Sequence, residues 1–245
     1  KFKVNFILFL VFVVKKMNSI SFFTNKSNGF KMTWLMIAAF LCYTGMYAVR
    51  KSFLAGNYLD LGLGYDLDAK TLLVISQVLG YMCSKFLGIK IISEMSHKNR
   101  AFWLISLVSF GLLMLLAFAY VPPKFKILTL FLNGLPLGMV FGVVFSYIEG
   151  RKQTELLAAG LSATFIFSTG FVKTIGVLLM QNYSISETLM PFATGLIFFP
   201  VFLISVFMLI WFKNPLTEKR NALGPIYIAL IFLFSPKVMN TNLKT

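Results

Sequence analysis

Acidic side chains are the scarcest feature of this sequence. Its 245 residues hold 8 Asp and Glu against 23 Lys and Arg. Charged residues make up 13% of the chain, where a soluble domain carries about 25%. Not one Asp or Glu falls inside the long apolar blocks described below. Paired carboxylates for acid–base chemistry therefore have no place there, and no nucleophile stands beside a base. The sequence does not read as an enzyme. Cysteine is nearly as rare. Cys42 and Cys83 both lie in apolar blocks, which excludes a disulfide framework and shows no metal-ligand spacing. The single histidine, His97 in "SEMSHKNR", reads as a solvated loop residue. No cofactor and no metal is expected.

What is abundant is hydrocarbon. Hydrophobic residues make up 58% of the chain, 28 residues are Phe, and the mean hydropathy is +0.81. They come in blocks rather than stripes, as in helices whose solvent is lipid. Six blocks are long enough to cross a bilayer core, which takes about 20 residues: 33–55, 70–92, 101–121, 127–148, 156–180 and 191–212. Short connectors make neighbouring helices antiparallel. The fold class is all-α, a polytopic membrane protein with a six-helix bundle over 33–212. Residues 1–32 form an N-terminal cytoplasmic or interfacial segment, and 213–245 a cytoplasmic linker. The net charge of +15 does not indicate nucleic acid, because the basic residues sit between apolar blocks.

Direction follows from the basic residues. Connectors 93–100, 149–155 and 213–220 hold two, two and three Lys or Arg, against none, two and none in 56–69, 122–126 and 181–190. Lys15, Lys16, Lys26 and Lys31 add to the N-terminal side. Both ends of the bundle are expected inside, with the acidic connector "GNYLDLGLGYDLDA" outside. Two short apolar runs are ambiguous. "VNFILFLVFVV" (4–14) is too short for a span and reads as a surface segment or an upstream extension, with Met17 as the start. "IYIALIFLF" (226–234) reads as a fragment of a seventh helix.

The polar residues inside the blocks are few and aligned. Tyr43, Tyr47 and Arg50 share a face of the first helix at spacings of four and three. Gln77, Tyr81, Ser84 and Gly88 share one in the second, with Lys85 at its edge. Ser162, Thr169, Lys173 and Gly176 line up in the fifth. The third and sixth blocks carry no charge and are free to face lipid. Cations near helix ends snorkel to the headgroups, which suits Lys51 and Lys90. Arg50, Lys85 and Lys173 lie deeper. A buried cation with no buried anion needs a partner from elsewhere, and an anionic ligand in a water-filled cavity supplies one. The fourth block, "FLNGLPLGMVFGVVFSYIEG", sets Gly134, Gly138 and Gly142 four apart. That bare face permits close helix packing. Pro136 loosens the helix between them.

Six helices with greasy third and sixth members and "YAVRKSF", "SKFLG" and "FLNGLPLGM" in that order resemble the N-terminal half of a major facilitator superfamily transporter. The organophosphate:phosphate antiporters are nearest. The resemblance covers roughly residues 38 to 180. It implies a secondary active transporter of the cytoplasmic (inner) membrane, working by alternating access on a small anionic solute such as phosphate or an organophosphate. Arg50 matches the phosphate-binding Arg, and Lys85 the pore Lys of the second helix. With Lys173, Tyr43, Tyr47 and Tyr81 they make the expected substrate-binding set. There are departures. Met95 stands where the loop motif carries Arg, and Ser168 or Thr169 stands near the place of a fifth-helix His. The family has twelve helices, so a missing C-terminal half or a second copy of the chain is the expected partner, beside membrane lipid. Two other readings stay open: a transporter-derived sensor that binds without carrying, and a structural membrane protein whose cations hold anionic lipid.

Overall fold

The computed structural model describes residues 28–59, 61–62, 68–95, 99–148 and 154–210. Among them are six helices, all long and apolar enough to cross a membrane. They are α1 (Asn28–Lys51), α2 (Ala69–Ser93), α3 (Arg100–Tyr120), α4 (Pro123–Ile148), α5 (Thr154–Tyr183) and α6 (Met190–Ile210). A 3-10 turn, Ser52–Ala55, continues α1. The protein is an all-α polytopic membrane protein. The helices start and stop within a few residues of the apolar blocks. The largest extensions are α1, which begins at Asn28, and α4, which begins at Pro123, where a proline costs no hydrogen bond. The runs 4–14 and 226–234, and His97, lie outside the described residues.

Packing order departs from chain order. The most extensive contact is α2 with α4, followed by α1 with α6, α3 with α4, and α1 with α5. α3 also meets α6, and α1 meets α4. Consecutive α1 and α2 hardly touch. The pattern has an internal symmetry: exchanging α1, α2 and α3 for α4, α5 and α6 maps α2–α4 onto α5–α1 and α1–α6 onto α4–α3. Since α1 and α4 run in opposite directions, the two triplets are related by inversion.

Glycine explains why α2 prefers α4. Helices in lipid gain little from the hydrophobic effect and adhere by close packing. A Cβ added at Gly80 of α2 would drive into the Phe131 carbonyl of α4, and one at Gly134 into the Gln77 carbonyl. One at Gly138 would sit 2.7 Å from the Tyr81 carbonyl. At Gly142 it would meet Ile92. The two backbones are in contact at Gly80, Gly134 and Gly138, and the Ile92 side chain fills the space at Gly142. α4 runs helical through Pro136, in the middle of that contact.

Cations close the α3–α4 hairpin at both ends. Lys126, near the start of α4, donates to the Phe118 carbonyl and, at 3.4 Å, to that of Ala119 in the last turn of α3. Arg100, which starts α3, donates to the Ser146 carbonyl near the end of α4 at 2.9 Å. Each satisfies carbonyls that a helix end leaves over and lies at the negative end of the dipole. Across the other contact, Trp34 Nε1 donates to the Met208 carbonyl at 3.2 Å and Ser52 Oγ to that of Pro191 at 3.1 Å. The loop after α1 is tied to the α5–α6 turn. The Glu187 carboxylate accepts the N–H groups of Asn57 at 3.0 Å and Tyr58 at 2.6 Å. Tyr58 sits in the left-handed region at φ 58°, unusual for a bulky residue. Its hydroxyl donates to the Phe53 carbonyl at 2.9 Å. Burial, with the Glu187 carboxylate beside it, pushes that phenol well above its ordinary range, so it stays a donor.

The glycine seam yields a contrast. Gly80→Ala sets a methyl against a main-chain carbonyl that no rotamer change can move, and overpacking costs about 1–3 kcal/mol. Thermal unfolding in detergent should show a clear drop in melting temperature. Gly170→Ala meets nothing within 4 Å and should be neutral or slightly stabilising. Equal melting of the two variants would mean that the seam is not closely packed.

Candidate functional site

The site begins where α1 tightens into its 3-10 turn. At that junction main-chain carbonyls lose their regular helical donors. In water they would be hydrated, but inside a bilayer they need protein partners. Two side-chain amides supply them. Gln77 Nε2 donates to the Arg50 carbonyl at 2.6 Å and to Asn133 Oδ1 at 2.8 Å. Asn133 Nδ2 donates to the Gly111 carbonyl at 2.8 Å and the Val49 carbonyl at 3.3 Å. Asn133 is wholly buried and joins α1, α2, α3 and α4. Its signal in the sequence was an amide beside Gly134 in an otherwise apolar helix, where polar groups are costly and carry a role.

With its backbone held, Arg50 turns its side chain toward α2. The residue is 8% exposed. Its guanidinium carbon lies 3.6 Å from the centre of the Tyr81 ring, a stacked cation–π contact, and 5.9 Å from that of Tyr47. Its Nε is buried without a hydrogen-bond partner. Lys85 comes to the same ring from the next turn of α2, with Nζ 5.0 Å from its centre. Arg50 lies five residues before the end of its span at Ala55. That is about 8–10 Å from the end, given the rise per residue of α and 3-10 helices. The spans hold no Asp or Glu, so no carboxylate answers the guanidinium from within them.

Aromatic rings close the other side. Tyr43 stands 5.3 Å from Tyr47 and 5.0 Å from Phe165, centre to centre. Tyr47 and Phe165 are nearly parallel, 15° apart at 5.8 Å. Phe141 meets Tyr43 edge-on at 5.7 Å and Phe165 at 5.9 Å. Five of the expected site residues, Arg50, Lys85, Tyr43, Tyr47 and Tyr81, therefore gather at one place. Lys173 stays apart. It is exposed on α5, as is its neighbour Thr174, and among the described residues no hydrogen bond or ring contact ties it to the group. The stripe expected on α5 divides: Gly176 is buried against Ala55 and Met190, Thr169 bonds back to the Phe165 carbonyl at 2.7 Å, and Ser162 is exposed. Ser168 Oγ pairs with Thr44 Oγ1 at 2.8 Å, a buried bridge from α5 to α1. The expected packing glycines 134, 138 and 142 face α2, as described above. α5 is the least covered helix and α2 the next, whereas α3 and α6, whose apolar blocks carry no charge and are expected from sequence to face lipid, are more enclosed.

The sequence matches the family described as "Family of unknown function (DUF5690)" over residues 52–223. The chain belongs to this DUF5690 family. No curated protein and no solved structure matches it. The DUF5690 match takes in Gln77, Tyr81, Lys85, Asn133 and Phe165, and it begins just past Arg50.

The amide node has a measurable weight. Asn133→Leu keeps the volume but removes the bonds to the Gly111 and Val49 carbonyls and takes one acceptor from Gln77 Nε2. A buried polar group so stranded costs about 1–3 kcal/mol. The variant should melt well below wild type in detergent, and Thr44→Val, at a two-member bridge, should fall less. A larger loss at Thr44 than at Asn133 would overturn the ranking.

Proposed function

We propose that this protein is a secondary active transporter, or one half of one, for a small anionic solute such as phosphate or an organophosphate. It is of the major facilitator type and works by alternating access. The carrying observation is Arg50: more than nine-tenths buried, stacked on Tyr81, with a buried Nε lacking any partner and no acidic residue in the spans. Burying a charge is costly unless something neutralises it. The planar guanidinium offers two parallel N–H donors to an oxyanion. Support also comes from the helix pairing, which has the form of a three-plus-three inverted repeat. That arrangement is built into each half of these transporters. Arg50 and Lys85 bind the anion, and Tyr81 positions both cations.

The exposed sides of α2 and α5 suit contact with a further six-helix body, a C-terminal half or a second copy. Lys173, projecting from the middle of α5, then faces protein or water rather than lipid. The protein resides in the cytoplasmic membrane with the start of α1 inside. A cysteine at Ser186 should then be labelled from outside intact cells, and one at Glu94 only after permeabilisation. The opposite pattern would reverse the orientation.

The site is tested by equilibrium binding of phosphate and organophosphates to purified protein. Arg50→Lys keeps the charge and loses the fork. A charge-assisted hydrogen bond contributes about 1.5–3 kcal/mol, so affinity should fall about ten- to a hundredfold. Arg50→Gln should be worse. Equal affinities for wild type and Arg50→Lys, in folded protein, would reduce Arg50 to a membrane anchor.

A further inference from the structure

We infer that the Arg50 site selects anions with a flat, apolar body, such as aryl phosphates or aryl carboxylates, over bare phosphate and over hydroxyl-rich organophosphates. This rests on reading Arg50 as an anion site and names the kind of molecule attached to the charge.

Three observations carry it. First, the two side-chain amides beside the Arg50 main chain are already committed. Gln77 donates to the Arg50 carbonyl and to Asn133 Oδ1, and Asn133 donates to the Gly111 and Val49 carbonyls. A sugar or glycerol hydroxyl placed here would leave water and find neither amide donor free, and unpaired polar groups weigh heavily in a dry site. Second, the wall beside Arg50 is made of rings from four helices: Tyr43 and Tyr47 of α1, Tyr81 of α2, Phe141 of α4 and Phe165 of α5. Tyr47 and Phe165 lie nearly parallel, 15° apart, so their faces suit stacking with a flat ring.

Third, the position of this wall is informative. The α1–α5 contact is the counterpart of α2–α4 under the internal symmetry. The α2–α4 contact is closed by glycines until the backbones touch. Its counterpart is spaced by side chains: the rings of Tyr43 and Tyr47 meet Phe165, and a Cβ added at Gly160 of α5 would meet the Met36 side chain, at 3.4 Å. Side chains can rearrange where touching backbones cannot, so this is the contact that a ligand's flat body can part. Phe165 and Phe141 are only partly buried, which leaves them approachable.

The experiment measures binding of three probes to the full chain in detergent: phenyl phosphate, glycerol 3-phosphate and inorganic phosphate. Wild type is compared with Phe165→Leu and Arg50→Gln. Phenyl phosphate should bind at least tenfold more tightly than the other two. Arg50→Gln should abolish that binding, which separates the site from partition into detergent. Phe165→Leu keeps apolar bulk and loses the flat face, and should reduce the preference to less than threefold. If it fails to fold, Tyr47→Leu makes the same test. Equal affinities for the three probes, all lost in Arg50→Gln, would overturn the aryl preference and leave the anion site standing. A preference that survives both ring substitutions would also overturn it. Binding of none of the probes at millimolar concentration would overturn the anion site itself.

Discussion

A bilayer core offers no water to a main-chain carbonyl, and the end of α1 exposes several. The amides of Gln77 and Asn133 answer that need, and much else follows from their doing so. They bind the α1 junction to α2, α3 and α4 at one buried point. Because Gln77 holds the Arg50 carbonyl, the base of that side chain cannot drift toward the headgroups. The guanidinium is left to settle on Tyr81. Its side chain lies over the Tyr81 ring, although Arg50 sits in the last turn of its helix.

The two halves of the helix pairing solve the same packing problem differently. On the α2–α4 side, Gly80, Gly134 and Gly138 let the backbones meet directly. Cohesion there comes from dense van der Waals contact. On the α1–α5 side, Tyr43, Tyr47 and Phe165 fill the space, and the Thr44–Ser168 bridge supplies one polar tie. Close backbone contact is rigid, while ring packing tolerates rearrangement. The rigid side carries Tyr81 and Lys85, and the adaptable side carries the aromatic wall, so Arg50 stands on the border between them.

At the far end of α1 the chain is closed by charge rather than by hydrocarbon. Glu187 takes two successive N–H groups, and this compensates the left-handed backbone at Tyr58. Tyr58 in turn packs edge-on against Phe118 at the end of α3. One carboxylate thus joins the α1 loop and the α5–α6 turn, and one ring carries that tie on to α3.

The sequence alone determined the number of spans and their approximate ends, because a helix in lipid must be apolar over a length set by the bilayer. It also made Arg50 and Lys85 conspicuous, because a charge in such a block is costly wherever it points. The glycine spacing in α4 was legible for the same local reason: four residues return to one face. Which helix that face would meet was not legible. Connector length suggests chain neighbours, and only the matching glycine on α2 makes α4 its partner. Asn133 was visible only as one amide among apolar residues, since its four-helix role depends on where α1 and α3 leave carbonyls. Phe165 and Phe141 looked like any of the 28 phenylalanines. Tertiary structure alone put them against the tyrosines beside Arg50, because contacts between residues about a hundred positions apart are set by how helices pack and not by the period of any one of them.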